Sequence, residues 1–228
     1  MTSSIDFAQS DTAISHDPRE HSLRRARPGA VTYLVLAVWS GVVTTAIIGG
    51  VFAGDGASRL ALPASVAIPV AVVAIAYRVS PRFRNYLLAL DMRLVLGAQL
   101  WRVIGIAFLF ALAFDQLPAG FAVPAGVGDI ATGIAAIGVL LAQGNGSLTR
   151  RHLYAFTALG VGDFLVAFVT GLSLEPPTLA AWPLAIFPTI MVPFFAVLHL
   201  VAVLQSRHNW EGRVRSYSVR SRDEAPAL

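Results

Sequence analysis

The sequence predicts an all-α membrane protein, a polytopic bundle of six transmembrane helices with a short interfacial helix near residues 82–93. Three observations predict it. The 228 residues are 56% hydrophobic and only 13% charged, with a mean hydropathy of +0.67, whereas soluble domains carry about 25% charge. The apolar residues gather into runs of about 20, the length that crosses hydrocarbon as a helix. Between those runs lie short loops, and alternate loops are rich in arginine.

Residues 1–28 are polar and mixed in charge, a cytoplasmic tail expected to be disordered, and end in the basic anchor Leu23-Arg-Arg-Ala-Arg27. The run Val31–Ala53 follows. At 23 residues it exceeds the apolar core of a secretory signal, about 7–15 residues, and reads as the first span. Gly41, Thr45 and Gly49 recur every four residues, a side on which another helix could pack closely. Gly54-Asp-Gly-Ala-Ser-Arg59 is a turn, and the second span covers 60–79, with Pro63 in its first turn and a kink expected at Pro69.

Arg78 to Arg84 is the densest basic loop. Within 83–94, Phe83, Leu87, Leu90 and Leu94 share one helical face, which predicts the headgroup-level amphipathic helix. The third span covers 94–114. The fourth covers 120–142 and starts at Pro118 or Pro124, since either ring fits a first helical turn. The fifth covers 152–173, and the sixth covers 180–205 with Pro183 beside Trp182 at its start. Residues 206–228 form a basic tail expected to be disordered at its end, so the transmembrane domain occupies 29–205.

Six spans put both termini on one side. Fifteen of the 17 arginines fall on that side, Arg59 on the other and Arg102 inside a span. The positive-inside rule then predicts a multi-pass protein of a bacterial inner membrane with both termini in the cytoplasm. The expected partners are the lipid bilayer and, at the cytoplasmic arginines, anionic headgroups. A homo-oligomer is compatible with the small-residue face of the first span. Arginines that flank membrane spans give no reason to expect nucleic acid, despite a pI near 10.1.

Candidate chemistry is confined to a few polar groups in the spans. Gly-Val-Gly-Asp occurs twice, at 126–129 and 160–163, each time placing one carboxylate in an otherwise uncharged run. An aspartate in hydrocarbon costs about 2.5–3.5 kcal/mol on insertion scales, so Asp129 and Asp163 need partners. Arg102 lies about eight residues, or roughly 12 Å, into the third span, with Gln99 one turn earlier. It either snorkels to the interface with help from Gln99 or pairs with an aspartate. One arginine cannot neutralise two aspartates. The spare carboxylate is either a protonated partner in a helix-packing lock or a group that carries a proton or binds a cation; Arg102 could also bind an anionic group.

In the sixth span Pro188 and Pro193 free the carbonyls of Leu184 and Thr189, which either kinks the helix or opens it as a gate beside a cavity. His199 reads as a hydrogen-bonding member of the polar site. A haem or metal would need His152 as second ligand. The absence of cysteine excludes disulfides, thiol catalysis and zinc–thiolate sites. No Walker loop, hydrolase or dinucleotide motif is present, so no catalytic residue, metal or cofactor is assigned.

The pattern Gln99-x-x-Arg102, Leu117-Pro, Phe121-Ala-Val-Pro-Ala-Gly-Val-Gly-Asp129 and the later Pro188, Pro193 and His199 resembles a group of uncharacterised bacterial inner-membrane proteins over roughly 94–200. That resemblance implies the topology and no activity. Three functions fit the residues: movement of a small solute or ion with proton coupling, a non-catalytic subunit or assembly factor held by an Arg–Asp lock, or a membrane enzyme acting on lipid or quinone.

Overall fold

The computed structural model describes residues 28–52, 57–174 and 177–223; residues 1–27 of the expected tail and 54–56 of the turn expected over 54–59 lie outside them, while 57–59 are helical and not part of a turn. The chain is helical, with no strand among the described residues, and six of its helices are long and apolar enough to cross a membrane. These are α1 (Ala30–Ile48), Ala61–Val79 of α2 (Ala57–Val79), a composite third span over Met92–Ala113, α6 (Ala119–Gly144), α7 (Arg150–Leu174) and a sixth over Phe187–His208 that runs into α8 (Val192–Asp223). The composite span consists of α4 (Met92–Ala98), a 3-10 stretch over Gln99–Gly105, and α5 (Ile106–Ala113). Between α2 and α4 lies the short helix α3 (Pro81–Ala89).

Three helix ends use the same device. Gly50 (φ 73°), Asp115 (φ 55°) and Gly146 (φ 71°) adopt left-handed backbone just past α1, α5 and α6. The next residue in each case bonds back to a carbonyl of the last turn: Val51 to Ala46 (3.0 Å), Gln116 to Ala111 (2.8 Å) and Ser147 to Ala142 (2.9 Å). This closes carbonyls that the helix leaves unpaired. It also explains why the first span ends at Ile48 and not at 53: Gly49-Gly50 supplies the reversal earlier than hydropathy suggests. At the fourth span Pro118 takes the N-cap position and Pro124 lies inside the helix.

The interfacial helix is present but shorter than the apolar pattern implies. Ser80 caps α3 by accepting from the Phe83 N–H at 3.3 Å, and Leu87 is buried against Val95, Val201 and Ala202. Leu94 does not share that face. The chain breaks at Leu90-Asp91, Asp91 caps a new helix by accepting from Arg93 N–H, and Leu94 is left 46% exposed. Gln205 of α8 stitches the end of α3 by donating to the carbonyls of Leu87 (2.7 Å) and Leu90 (2.9 Å).

The sixth span departs furthest from expectation at both ends. Residues 177–180 form a 3-10 turn, 181–185 are turns, and a π-helical turn over Phe187–Met191 leads into α8. The span therefore starts near 187 and not 180. Its helix continues to Asp223, through most of the basic tail expected over 206–228, and residues 224–228 lie outside the described residues. Among the described residues Gly41, Thr45 and Gly49 are exposed; α1 instead buries Val43 and Ile47 against Ala180 and Ala185.

Candidate functional site

The site begins with how the third span is wound. Leu96, Gln99, Arg102, Gly105, Phe108 and Ala111 are all buried, every third residue along the span. In a 3-10 helix residues three apart eclipse one another. A continuous α-helix would rotate Gly105 about 120° away from Gln99. The 3-10 stretch keeps Gln99, Arg102 and Gly105 on one face, turned into the bundle, while Trp101 and Ile104 face outward and Val103 lies at the edge, against α6.

α6 meets that face closely because glycines stand where side chains would collide. A Cβ on Gly126 would lie 2.9 Å from Leu109, and one on Gly133 would lie 2.8 Å from Val103. A Cβ on Gly105 would strike the Asp129 side chain outright. With the backbones this near, Asp129 accepts from Arg102 Nε at 2.7 Å. From α7, Asp163 Oδ2 accepts from Arg102 Nη2. Nη1 points at the Gly160 carbonyl (3.4 Å) and at His199 Nε2 on α8 (3.3 Å). A guanidinium only donates, so Nε2 accepts and the His199 proton resides on Nδ1. The Phe164 ring completes the enclosure, its centroid 4.1 Å from Arg102 Cζ, a cation–π contact.

One fully buried arginine thus joins four membrane segments. Arg102 is 0% exposed, so it pairs and does not snorkel. Both aspartates share its guanidinium, where a pairing with one of them was expected. Its burial behind the carboxylates also rules out the direct anion contact considered from sequence. Gln99 does not assist Arg102 toward the interface; it donates to the Phe195 carbonyl of α8 at 3.3 Å. His199 sits in the site, whereas His152 is tied to Thr149 in the first turn of α7 and cannot supply a second ligand there. Among the described residues no cluster of three or more histidines and acids could hold a metal ion.

The two Gly-Val-Gly-Asp copies are chemically parallel only at their aspartates. In the first, Gly128 leaves room for Asp163, whose Oδ1 would overlap any Cβ there. In the second, Gly160 leaves room for His199 and for Arg102 Nη1, while Gly162 faces open space. The glycines do different work in each copy, and only the aspartates share a partner, Arg102.

Pro188 does not break a running helix. It stands at the start of the π-helical turn, where a missing N–H costs little, and the Leu184 carbonyl accepts from the Phe187 N–H at 3.1 Å. The wide turn ends just before buried Pro193, at the place where an α-turn would require the N–H that proline lacks.

Beside this network lies a cavity of about 980 Å³. Its walls come from α2, α6 and α7, with Phe108 of α5, α8 and the π-helical turn completing them, and its lining is almost wholly apolar. The polar exceptions are Asp129, Asp163, Thr157 and His199. Asp129 keeps 14% of its side chain exposed; Asp163 keeps 5%. Asp163 Oδ1, Thr157 Oγ1 and His199 Nδ1 are buried without a hydrogen-bond partner among the described residues. The α2 wall was not foreseen from sequence, although Ala67, Ala71 and Ala74 recur at helical spacing and mark a face that leaves space.

A family model described as a domain of unknown function, DUF8737, matches residues 33–205. The chain belongs to that family. The matched region of this DUF8737 member begins inside α1, ends inside α8 and contains every residue of the Arg102 network. No curated protein and no solved structure matches the chain.

Proposed function

We propose that this membrane protein is a carrier that moves a small solute or ion, with proton exchange at Asp129 and Asp163. In this reading Arg102 fixes the two carboxylates, Gln99 and His199 hold α8 against them, and the irregular turn between Pro188 and Pro193 gates the cavity. The basic loops orient the bundle with both termini in the cytoplasm of a bacterial inner membrane. The observation that supports the reading is that two carboxylates sharing a single counter-charge both border a large cavity. Intramembrane acids in such a setting carry protons or cations.

A second reading has its own support. Arg102 is wholly enclosed and each of its three nitrogens has a partner, which suits a packing lock in a non-transporting subunit. Proteoliposomes loaded with a pH-sensitive dye separate the two. They are challenged in turn with a cationic, an anionic and a neutral amphiphile. A carrier moves the internal pH in response to one class, and Asp129→Asn or Asp163→Asn abolishes that response. If no class moves the pH and the variants lose only thermal stability, the lock is the function.

A further inference from the structure

The cavity and the charges beside it carry a statement about the solute, which rests on the carrier reading. Arg102 does not line the cavity; Asp129 and Asp163 do. A visitor therefore meets carboxylates, with the compensating guanidinium sealed behind them. The facing ionisable groups can be counted element by element. The third span gives Arg102, α6 gives Asp129, α7 gives Asp163 and α8 gives His199, whose Nε2 accepts from Arg102 and so carries no charge. The residues of α2 that line the cavity include no charged side chain. One positive and two negative charges leave a deficit of one positive unit. A proton or a monovalent cation fills it; an anion deepens it.

The rest of the wall specifies what surrounds that charge. Phe52, Phe108, Phe121, Phe168 and Phe187 line the cavity, and ring faces attract cations stripped of water. The α2 wall runs from Leu62 to Ala74, about 18 Å at 1.5 Å per residue, far longer than a bare metal ion or ammonium requires. The mouth lies between two helices of membrane-spanning length, where a bilayer would meet it. Ala67 and Ala71 of α2 and Leu165 of α7 line the cavity and are themselves exposed, so the cavity is open there and not sealed. A solute dissolved in the acyl chains can thus enter sideways between α2 and α7.

We infer that the solute is a lipophilic monovalent cation, taken from the bilayer through the cleft between α2 and α7, whose charge replaces a proton at Asp129 and Asp163 while its apolar body lies along the phenylalanines. Binding then releases one proton per cation, and transport is an exchange of the two.

The test uses the full chain in zwitterionic nanodiscs with tetraphenylphosphonium, and with tetraphenylborate as an ion of like shape and opposite sign. Saturable binding of the phosphonium above empty nanodiscs is expected, with proton release in weakly buffered medium and no saturable binding of the borate. Asp129→Asn removes the proton release. Because that change touches the buried network, Ala71→Trp provides a second arm: it fills the cleft from an exposed position on α2. It is expected to weaken phosphonium binding at least about tenfold while leaving the melting temperature unchanged. Equal binding of the borate, absence of saturable phosphonium binding, or indifference to Ala71→Trp overturns the inference. An internal pH response to an anionic or neutral amphiphile, and not to a cation, overturns it while leaving the carrier reading in place; silence toward every class removes both.

Discussion

Replacing Arg102 by methionine tests the central arrangement most directly. The substitution keeps a long apolar stem in the same space and deletes the charge that Asp129 and Asp163 share. With side chains only 14% and 5% exposed, beside a lining that is otherwise almost wholly apolar, neither aspartate gains full hydration in exchange for the lost guanidinium. Breaking a buried ion pair by removing one partner costs about 3–5 kcal/mol, because the remaining charge is left uncompensated. At roughly 2–4 °C per kcal/mol for a chain of this size, the melting temperature should fall by about 6–20 °C. Thermal unfolding in detergent, followed by tryptophan fluorescence, measures this. The companion variant Arg102→Met/Asp129→Asn/Asp163→Asn removes the orphaned charges and should recover at least half of the loss, since uncharged replacements of buried ion triads are often tolerated. A single variant that melts within about 2 °C of the parent would show that the network contributes little. So would a triple variant no more stable than the single one.

Two further outcomes follow from the packing. Gly128→Ala places a methyl group on the Asp163 carboxylate and should cost about 1–3 kcal/mol through overpacking, whereas Gly162→Ala meets nothing within 4 Å and should be neutral or stabilising by up to about 1 kcal/mol; paired melting curves decide this, and equal effects would refute the assigned asymmetry. Gln205→Ala removes two hydrogen bonds to the end of α3 and should cost about 1–3 kcal/mol, with faster amide exchange in α3 than in α6; unchanged exchange in α3 would show that Gln205 does not hold it.

Hydropathy made the six spans legible because each must supply its own length of apolar helix, and a pairing of Arg102 with one aspartate was one of two readings that the cost of a lone charge in hydrocarbon left open; its sharing between both aspartates was not among them. What stayed hidden was local winding. Nothing in Gln99-Leu-Trp-Arg102 announces a 3-10 helix, because both helix types keep residues three apart near one face over a single turn. The difference emerges only when Leu96 through Ala111 are seen to be buried at a strict spacing of three. The late start of the sixth helix was hidden for another reason. Residues 180–185 are as apolar as a span, yet they form the end of a 3-10 turn and the turns after it, which pack Ala180 and Ala185 against α1. Hydropathy reports burial in oil or protein and cannot distinguish them.

The distribution of polar contacts separates a stiff part of the bundle from a looser one. Arg102 links the third span, α6, α7 and α8 through directional bonds, and Gln99 and Gln205 add two more attachments to α8. α2 has no side-chain hydrogen bond to another helix among the described residues and packs by apolar contact on α3, α8 and the π-helical turn. Sliding a helix held only by dispersion breaks no hydrogen bond, so opening between α2 and α7 requires less than any motion that separates α6 from α7. The wall that bears the carboxylates is thus the fixed one, and the wall that bears Ala67 and Ala71 is the one able to move.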